Sequence, residues 1–88
     1  MQPELTAKVV KFYPNPATTA INFELLRNAD KSLTLQLFNF MGRKVFETTP
    51  GAQRTVVSLD GFFRGVYIYQ VRDKAGKIVD SGRFQVVK

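Results

Sequence analysis

The chain has 88 residues, of which 44% are hydrophobic and 23% charged, and 13 Lys and Arg against 7 Asp and Glu give it a formal net charge of +6. A chain this short forms one domain with a modest core, so residues 1–88 are assigned to a single domain, with 1–7 as a linker or cloning remnant. Cysteine and histidine are absent, which excludes disulfides, thiolate metal sites and the commonest general base. We therefore expect no catalytic residue, no metal site and no cofactor.

The amino terminus lacks the basic start and apolar run of a signal peptide. No apolar run approaches the roughly 20 residues that a membrane-spanning helix needs, so no membrane span is expected. If the domain is exported, the signal peptide must belong to a longer parent chain.

Apolar residues alternate with polar ones along most of the chain, which predicts half-buried strands, and no segment has helical spacing. The seven predicted strands are Lys8–Tyr13, Ala20–Arg27, Leu33–Phe40, Lys44–Thr48, Thr55–Leu59, Val66–Arg72 and Ile78–Val87. This number and spacing predict an all-β fold, a seven-stranded antiparallel immunoglobulin-like β-sandwich, with a five-stranded barrel as the rival. Its predicted core residues are Ile21, Phe23, Leu35, Leu37, Val57, Leu59, Tyr67 and Phe84.

The segments between the first four strands contain turn residues with distinct physical roles. Pro14 and Pro16 fix φ and lack amide donors, so the segment Pro14-Asn15-Pro16 can form only an edge or a turn. Asn15 precedes a proline and is biased towards extended geometry. Gly42 can adopt positive φ in a hairpin turn, where Asn39 is placed to bond the turn backbone.

The second half of the chain also contains residues that predict turns and irregular strand geometry. Gly65 is expected to let the backbone pass closely at the start of the strand that carries Tyr67. The segment Asp73–Gly76 predicts a turn that makes a hairpin of the last two strands. Ser81-Gly82 suggests a bulge or a change of sheet within the last strand.

Two kinds of chemistry need weighing against simpler explanations. Asp73 and Asp80 could imitate a glycosidase carboxylate pair across the last hairpin, but turn capping and solvation explain them better. The positive charge and 11 aromatic residues could suit single-stranded nucleic acid, but the aromatics mostly alternate into the core and the basic residues are scattered. We expect no nucleic-acid partner, and favour attraction to an anionic envelope surface or an acidic partner.

Three phenylalanines are harder to explain. Phe38 is out of phase with Leu35 and Leu37, and Phe40 shares the parity of Phe38, so both should point away from the core. An aromatic pair on an outer face is a candidate docking patch. The alternative, which we favour, is that Phe38, Phe40 and Phe46 close the open end of the core around the Gly42 turn.

Four segments in order carry a resemblance to a known family. They are Tyr13–Ala17 with the strand that begins near Ile21, then Leu35–Val45, Val57–Tyr67 and Gly82–Lys88. Their order and spacing resemble the type A C-terminal sorting domain of the type IX secretion system of Bacteroidetes-type bacteria. The resemblance extends over nearly the whole chain, from Val9 to Lys88.

The resemblance implies a C-terminal secretion signal domain that directs an attached cargo protein across the outer membrane. Its implied partners are the type IX translocon, an outer-membrane shuttle barrel and a sortase-like attachment complex, with the cargo fused at its amino-terminal side. The cargo would pass through the periplasm to the cell surface, where a sortase-like protease removes the domain. The domain itself is implied to perform no chemistry.

The resemblance also implies where recognition falls. Contacts with the translocon and shuttle barrel are assigned to the last strand, at Gly82, Arg83, Phe84, Val86, Val87 and Lys88. The structural residues of the family motifs are Pro14, Asn15, Pro16, Asn39, Gly42, Gly65 and Tyr67. A terminal strand can offer backbone edge bonds and alternating side chains to a partner.

The competing interpretation is a non-catalytic immunoglobulin-like or fibronectin-like spacer or adhesion module of a secreted enzyme, because fold alone does not determine function. A spacer could sit in mid-chain, whereas a sorting signal must end its protein. The absence of a trailing segment after Lys88 favours the sorting signal.

Overall fold

The computed structural model describes residues 9–26, 32–49 and 54–88, which form seven β-strands in two antiparallel sheets. The strands are β1 (Val10–Tyr13), β2 (Ala20–Leu25), β3 (Thr34–Phe38), β4 (Lys44–Thr48), β5 (Arg54–Ser58), β6 (Gly65–Arg72) and β7 (Ile78–Val86). The all-β, seven-stranded prediction is confirmed. Its outermost positions Lys8 and Arg27 lie outside the described residues, and β3 ends two residues before the predicted Phe40 because the turn begins at Asn39.

The segment that follows β1 connects the two sheets outside the regular ladders. β1, β2 and β5 form the first sheet in that order, and β4, β3, β6 and β7 form the second. After β1, the chain leaves the first sheet, and Ala17 makes an isolated parallel bridge with Val86 of β7. The segment that contains the two prolines is therefore an edge segment, as predicted.

The core lies between the inner faces of the two sheets. All eight predicted core residues are buried, with exposed fractions of 6% or less. Tyr69 is also fully buried, and the Phe12 and Phe23 rings contact each other and the rings of both Tyr69 and Phe84, with centroids 5.2–6.3 Å apart. Tilted and edge-on aromatic packing of this kind stabilises the interior beyond the burial of apolar area alone.

Two glycines have roles that differ from the predicted ones. A Cβ added at Gly65 would meet no described atom within 4 Å, so close backbone passage is wrong; the residue is glycine because its φ is +146°. Close approach occurs instead at Gly82, where a Cβ would lie 2.7 Å from Cε2 of Tyr69. The predicted bulge at Ser81-Gly82 is also wrong, because the register shifts between Ile78 and Asp80 and leaves Val79 as the extra residue.

Replacing Phe23 with alanine should lower the free energy of unfolding by about 3–5 kcal/mol, because the ring is 2% exposed and lies against Tyr69 and Phe84. Urea unfolding followed by far-ultraviolet circular dichroism measures this change. The matched control is Val56→Ala on the outer face of the first sheet, where the side chain is 58% exposed and the loss should be about 0.5 kcal/mol or less. Equal losses in the two variants would contradict the assigned core.

Candidate recognition site on the last strand

Side chains alternate along the last strand, so the predicted recognition residues fall into two groups. Phe84 and Val86 are buried in the core, and Gly82 lies under the Tyr69 ring. Arg83 and Lys88 are exposed, and Val87 is half-buried. A partner that meets the folded domain can therefore contact the second group, whereas the first group shapes and supports the strand.

The open edge of β7 is occupied at its end by the segment Pro14–Ala17. The Ala17 amide donates to the Gln85 carbonyl at 2.8 Å, and the Val87 amide donates to the Ala17 carbonyl at 2.8 Å. The Gln85 amide donates to Oδ1 of Asn15 at 3.0 Å. Because Pro14 and Pro16 have no amide hydrogen, the Asn15 side chain and Ala17 supply the polar contacts of this segment.

At Arg83 the backbone groups of β7 point to the open edge of the second sheet. The Gln85 amide and carbonyl both point to the outer edge, and the direction of backbone groups alternates along a strand. The register of β6 and β7 is regular between these residues, so the backbone of Arg83 points the same way as that of Gln85. Its side chain projects from the outer face of the second sheet beside Ile68.

Lys88 is exposed, yet its ammonium group is bound. Nζ of Lys88 donates a hydrogen bond to the Leu59 carbonyl at 2.6 Å. Lys88 lines two shallow clefts, one together with Thr18, Thr19 and Asp60 and the other together with residues 61–64. The positive charge at the end of the chain is therefore held against the loop between β5 and β6.

The remaining motif residues stabilise the turns next to this site. Oδ1 of Asn39 accepts hydrogen bonds from the Met41 and Arg43 amides, both at 3.0 Å, and Gly42 has a φ of +82°. The predicted role of this pair is confirmed by those contacts. Tyr67 fixes the other turn, because its hydroxyl donates to the Phe63 carbonyl at 2.7 Å.

The two aspartates considered as a catalytic pair have separate structural roles. Oδ1 of Asp73 accepts hydrogen bonds from the Ala75 and Lys77 amides, both at 2.9 Å, which is the predicted turn capping. For Asp80 the solvated-turn explanation is wrong, because the residue is buried and its Oδ2 accepts hydrogen bonds from the Val9 and Val10 amides at 3.1 and 3.2 Å. Sequence reasoning missed this contact because it joins residues some 70 positions apart.

Acidic side chains neutralise cations on both outer faces but not around Arg83. A hydrogen bond from the Tyr13 hydroxyl, together with the charge of Lys11, lowers the pKa of Glu24 on the first sheet. A hydrogen bond from Lys44 and its charge lower the pKa of Glu47 on the second. Among residues 9–26, 32–49 and 54–88, the side chains of Arg43, Arg64 and Arg83 have no hydrogen bond or ion pair.

The three phenylalanines that strand alternation did not assign to the core have different environments. Phe46 packs against the core, as closure of the sandwich requires, and Phe38 is half-buried. For Phe40 closure of the core is wrong, because the side chain is 77% exposed. Within the described ranges, no three acidic side chains gather at a metal-ion distance, and no helix is long and apolar enough to cross a membrane.

The fold and the site define an all-β domain. The edge of its last strand is bound at one end by the segment Pro14–Ala17, and the outer face of this strand is exposed and cationic. A family model described as the secretion system C-terminal sorting domain matches residues 11–82. The chain therefore belongs to this family, the sorting domains of type IX secretion, as its sequence motifs had indicated.

A solved structure gives independent support for the fold. It is PorZ, described as an essential bacterial surface component of the type IX secretion system of Porphyromonas gingivalis. The match has a TM-score of 0.74 at 21% sequence identity and covers 90% of this chain but only 11% of PorZ. A search of the curated proteins found no match.

Replacing Asn15 with alanine should expose the Gln85 amide, because the substitution removes the acceptor of that hydrogen bond. We expect about tenfold faster hydrogen exchange at Gln85 and a loss of about 0.5–1.5 kcal/mol in the free energy of unfolding. Amide-resolved NMR exchange measures both. The Phe84 amide, whose residue pairs with Tyr67 in the sheet, is the internal control. Unchanged hydrogen exchange at Gln85 would contradict the hydrogen bond between its amide and the Asn15 side chain.

Proposed function

We propose that this domain is the sorting signal by which the type IX secretion system carries a longer protein to the cell surface or the extracellular space. The observation that carries the proposal is the family match over residues 11–82. In this proposal residues 1–88 form one unit at the end of its parent, with 1–7 as the linker to a cargo fused on the amino-terminal side.

In this proposal the partner proteins carry out export and attachment. The parent crosses the periplasm, the translocon and an outer-membrane shuttle barrel recognise the domain, and a sortase-like protease removes it at the surface. Four of the five acids of the described chain support this division of labour, because Asp73 and Asp80 bind backbone amides and Glu24 and Glu47 bind lysines. A domain without catalytic residues and without a cofactor fulfils the proposed role.

The contacts of β7 favour recognition through its exposed side chains over addition of a strand along its whole edge. Ala17 and Asn15 already bond the backbone at Gln85 and Val87. A partner strand would have to break three hydrogen bonds to pair there, each contributing about 0.5–1.5 kcal/mol. Arg83 needs no such displacement, since its side chain is exposed and unpaired within the described ranges and its backbone faces the open edge.

A reporter fused before residue 9 tests the sorting role in a bacterium with an active type IX secretion system. Arg83→Glu should strand the reporter inside the cell, because the substitution reverses the sign of an exposed charge on the last strand. The thermal midpoint should stay within a few degrees of the parent, because the side chain makes no contact that folding needs.

Lys74→Glu is the matched control for this variant. It makes the same charge change on an exposed residue of the β6–β7 turn, at the other end of β7, and should leave export intact. Equal export of the two variants would exclude a role for Arg83 in recognition.

Deletion of the whole domain separates the sorting signal from the spacer. A sorting signal predicts that the reporter without the domain stays in the cell, as measured by protease accessibility of the reporter on intact bacteria. If the truncated reporter still reaches the surface, the sorting function is wrong and the non-catalytic spacer or adhesion module takes its place.

A further inference from the structure

Three large apolar side chains project from the turns at one end of the sandwich. Phe40 and Met41, in the β3–β4 turn, are 77% and 75% exposed, and Phe63, in the β5–β6 loop, is 84% exposed. We call these three residues the apolar tip. They are the most exposed large hydrophobic residues of the described chain.

Strand pairing places the members of the apolar tip at the same end. Phe38, at the end of β3, pairs with Ile68 near the start of β6, so the β3–β4 turn lies at the end of the second sheet where β6 begins. Phe63 precedes the start of β6 by two residues, and Gly65 pairs with Val86 at the end of β7.

The apolar tip also lies far from the point where the preceding chain joins the domain. Val9 is bound to Asp80, six residues before Val86 along β7, which corresponds to about 20 Å. A cargo that precedes residue 9 therefore leaves the apolar tip free to approach a surface.

Cations without partners in the described chain follow the members of the apolar tip closely in sequence. Arg43 follows Met41 by two residues and Arg64 follows Phe63, and both guanidinium groups lack an ion pair within the described ranges. Arg83 lies beside Ile68 on the adjoining face, while Asp60 is the acid of the neighbouring loop. The outer face of the first sheet differs, because Glu24 there lies in one row with Lys11 and Arg54.

We propose that the apolar tip inserts into the surface of an anionic lipid bilayer, with Arg43 and Arg64 at the level of the headgroups. Aromatic and methionine side chains beside cations have the composition of interfacial membrane contacts. The tip consists of two projecting turns, and a fluid bilayer accepts such a convex shape without a preformed pocket. Charge complementarity favours anionic lipid, since the chain carries a net charge of +6.

Vesicle sedimentation of the 88-residue chain tests the proposal independently of secretion. Binding should be strong to vesicles of phosphatidylcholine with about 30% phosphatidylglycerol and weak to pure phosphatidylcholine. Phe63→Ser should weaken binding about tenfold. Arg64→Gln should weaken it about fivefold, and about 0.5 M salt should weaken binding of the parent.

The control variants make the same kinds of substitution at positions away from the apolar tip. Val56→Ser removes an exposed apolar side chain from the first sheet, and Lys74→Gln removes an exposed cation from the β6–β7 turn. Both should bind like the parent to within about twofold. All four substitutions replace exposed side chains, and the thermal midpoint of each variant verifies folding.

Insertion depth can be read directly, because the chain contains no tryptophan. Phe63→Trp provides a single fluorophore whose emission should shift to the blue on anionic vesicles and be quenched by lipids brominated on their acyl chains. Val56→Trp should show neither effect. Equal binding to neutral vesicles, equal losses from the control variants, or no quenching of the Phe63→Trp fluorophore would each overturn the proposal. Failure to bind any vesicle would overturn it too, and would favour an acidic protein surface.

Discussion

The hydrogen bonds between the segment Pro14–Ala17 and the end of β7 are the constraint on which the domain depends. They join residues some 70 positions apart and fasten the chain that leaves the first sheet to the edge of the second. Because the two prolines cannot donate, the segment presents one amide, one carbonyl and one side-chain acceptor at the positions where β7 needs partners. The same contacts close an edge that would otherwise be open to nonspecific pairing with other chains.

This closure separates folding from recognition along a single strand. Phe84 and Val86 belong to the aromatic and aliphatic core, so their loss would unfold the domain before any effect on a partner could be observed. Arg83 alternates with them and points outwards, so it can change without cost to the core. Variants of the last strand are therefore informative about recognition only when their stability is measured alongside export.

Much of the fold could be predicted from the sequence because alternation is a local signal. The seven strands and their buried faces follow from residues two positions apart, and the Asn39–Gly42 turn follows from residues three apart. The bond from Asp80 to the amides of Val9 and Val10 could not be predicted, because it depends on how the two sheets meet. The same holds for Gly82, whose missing side chain makes room for Tyr69 of the neighbouring strand. The exposure of Phe40 depends on the position of the β3–β4 turn relative to the start of β6, which no short-range pattern encodes.

The bond between Asp80 and the first described residues has a mechanical consequence. Val9 lies at one end of the sandwich and Lys88 at the other, so tension applied between these two residues acts along β1 and β7. Hydrogen bonds of an antiparallel ladder run across the strands, so such a load shears the β1–β2 ladder as a set instead of unzipping it bond by bond. A domain that is pulled through a pore by its Val9 end would resist unfolding as one unit until β1 slides free of β2.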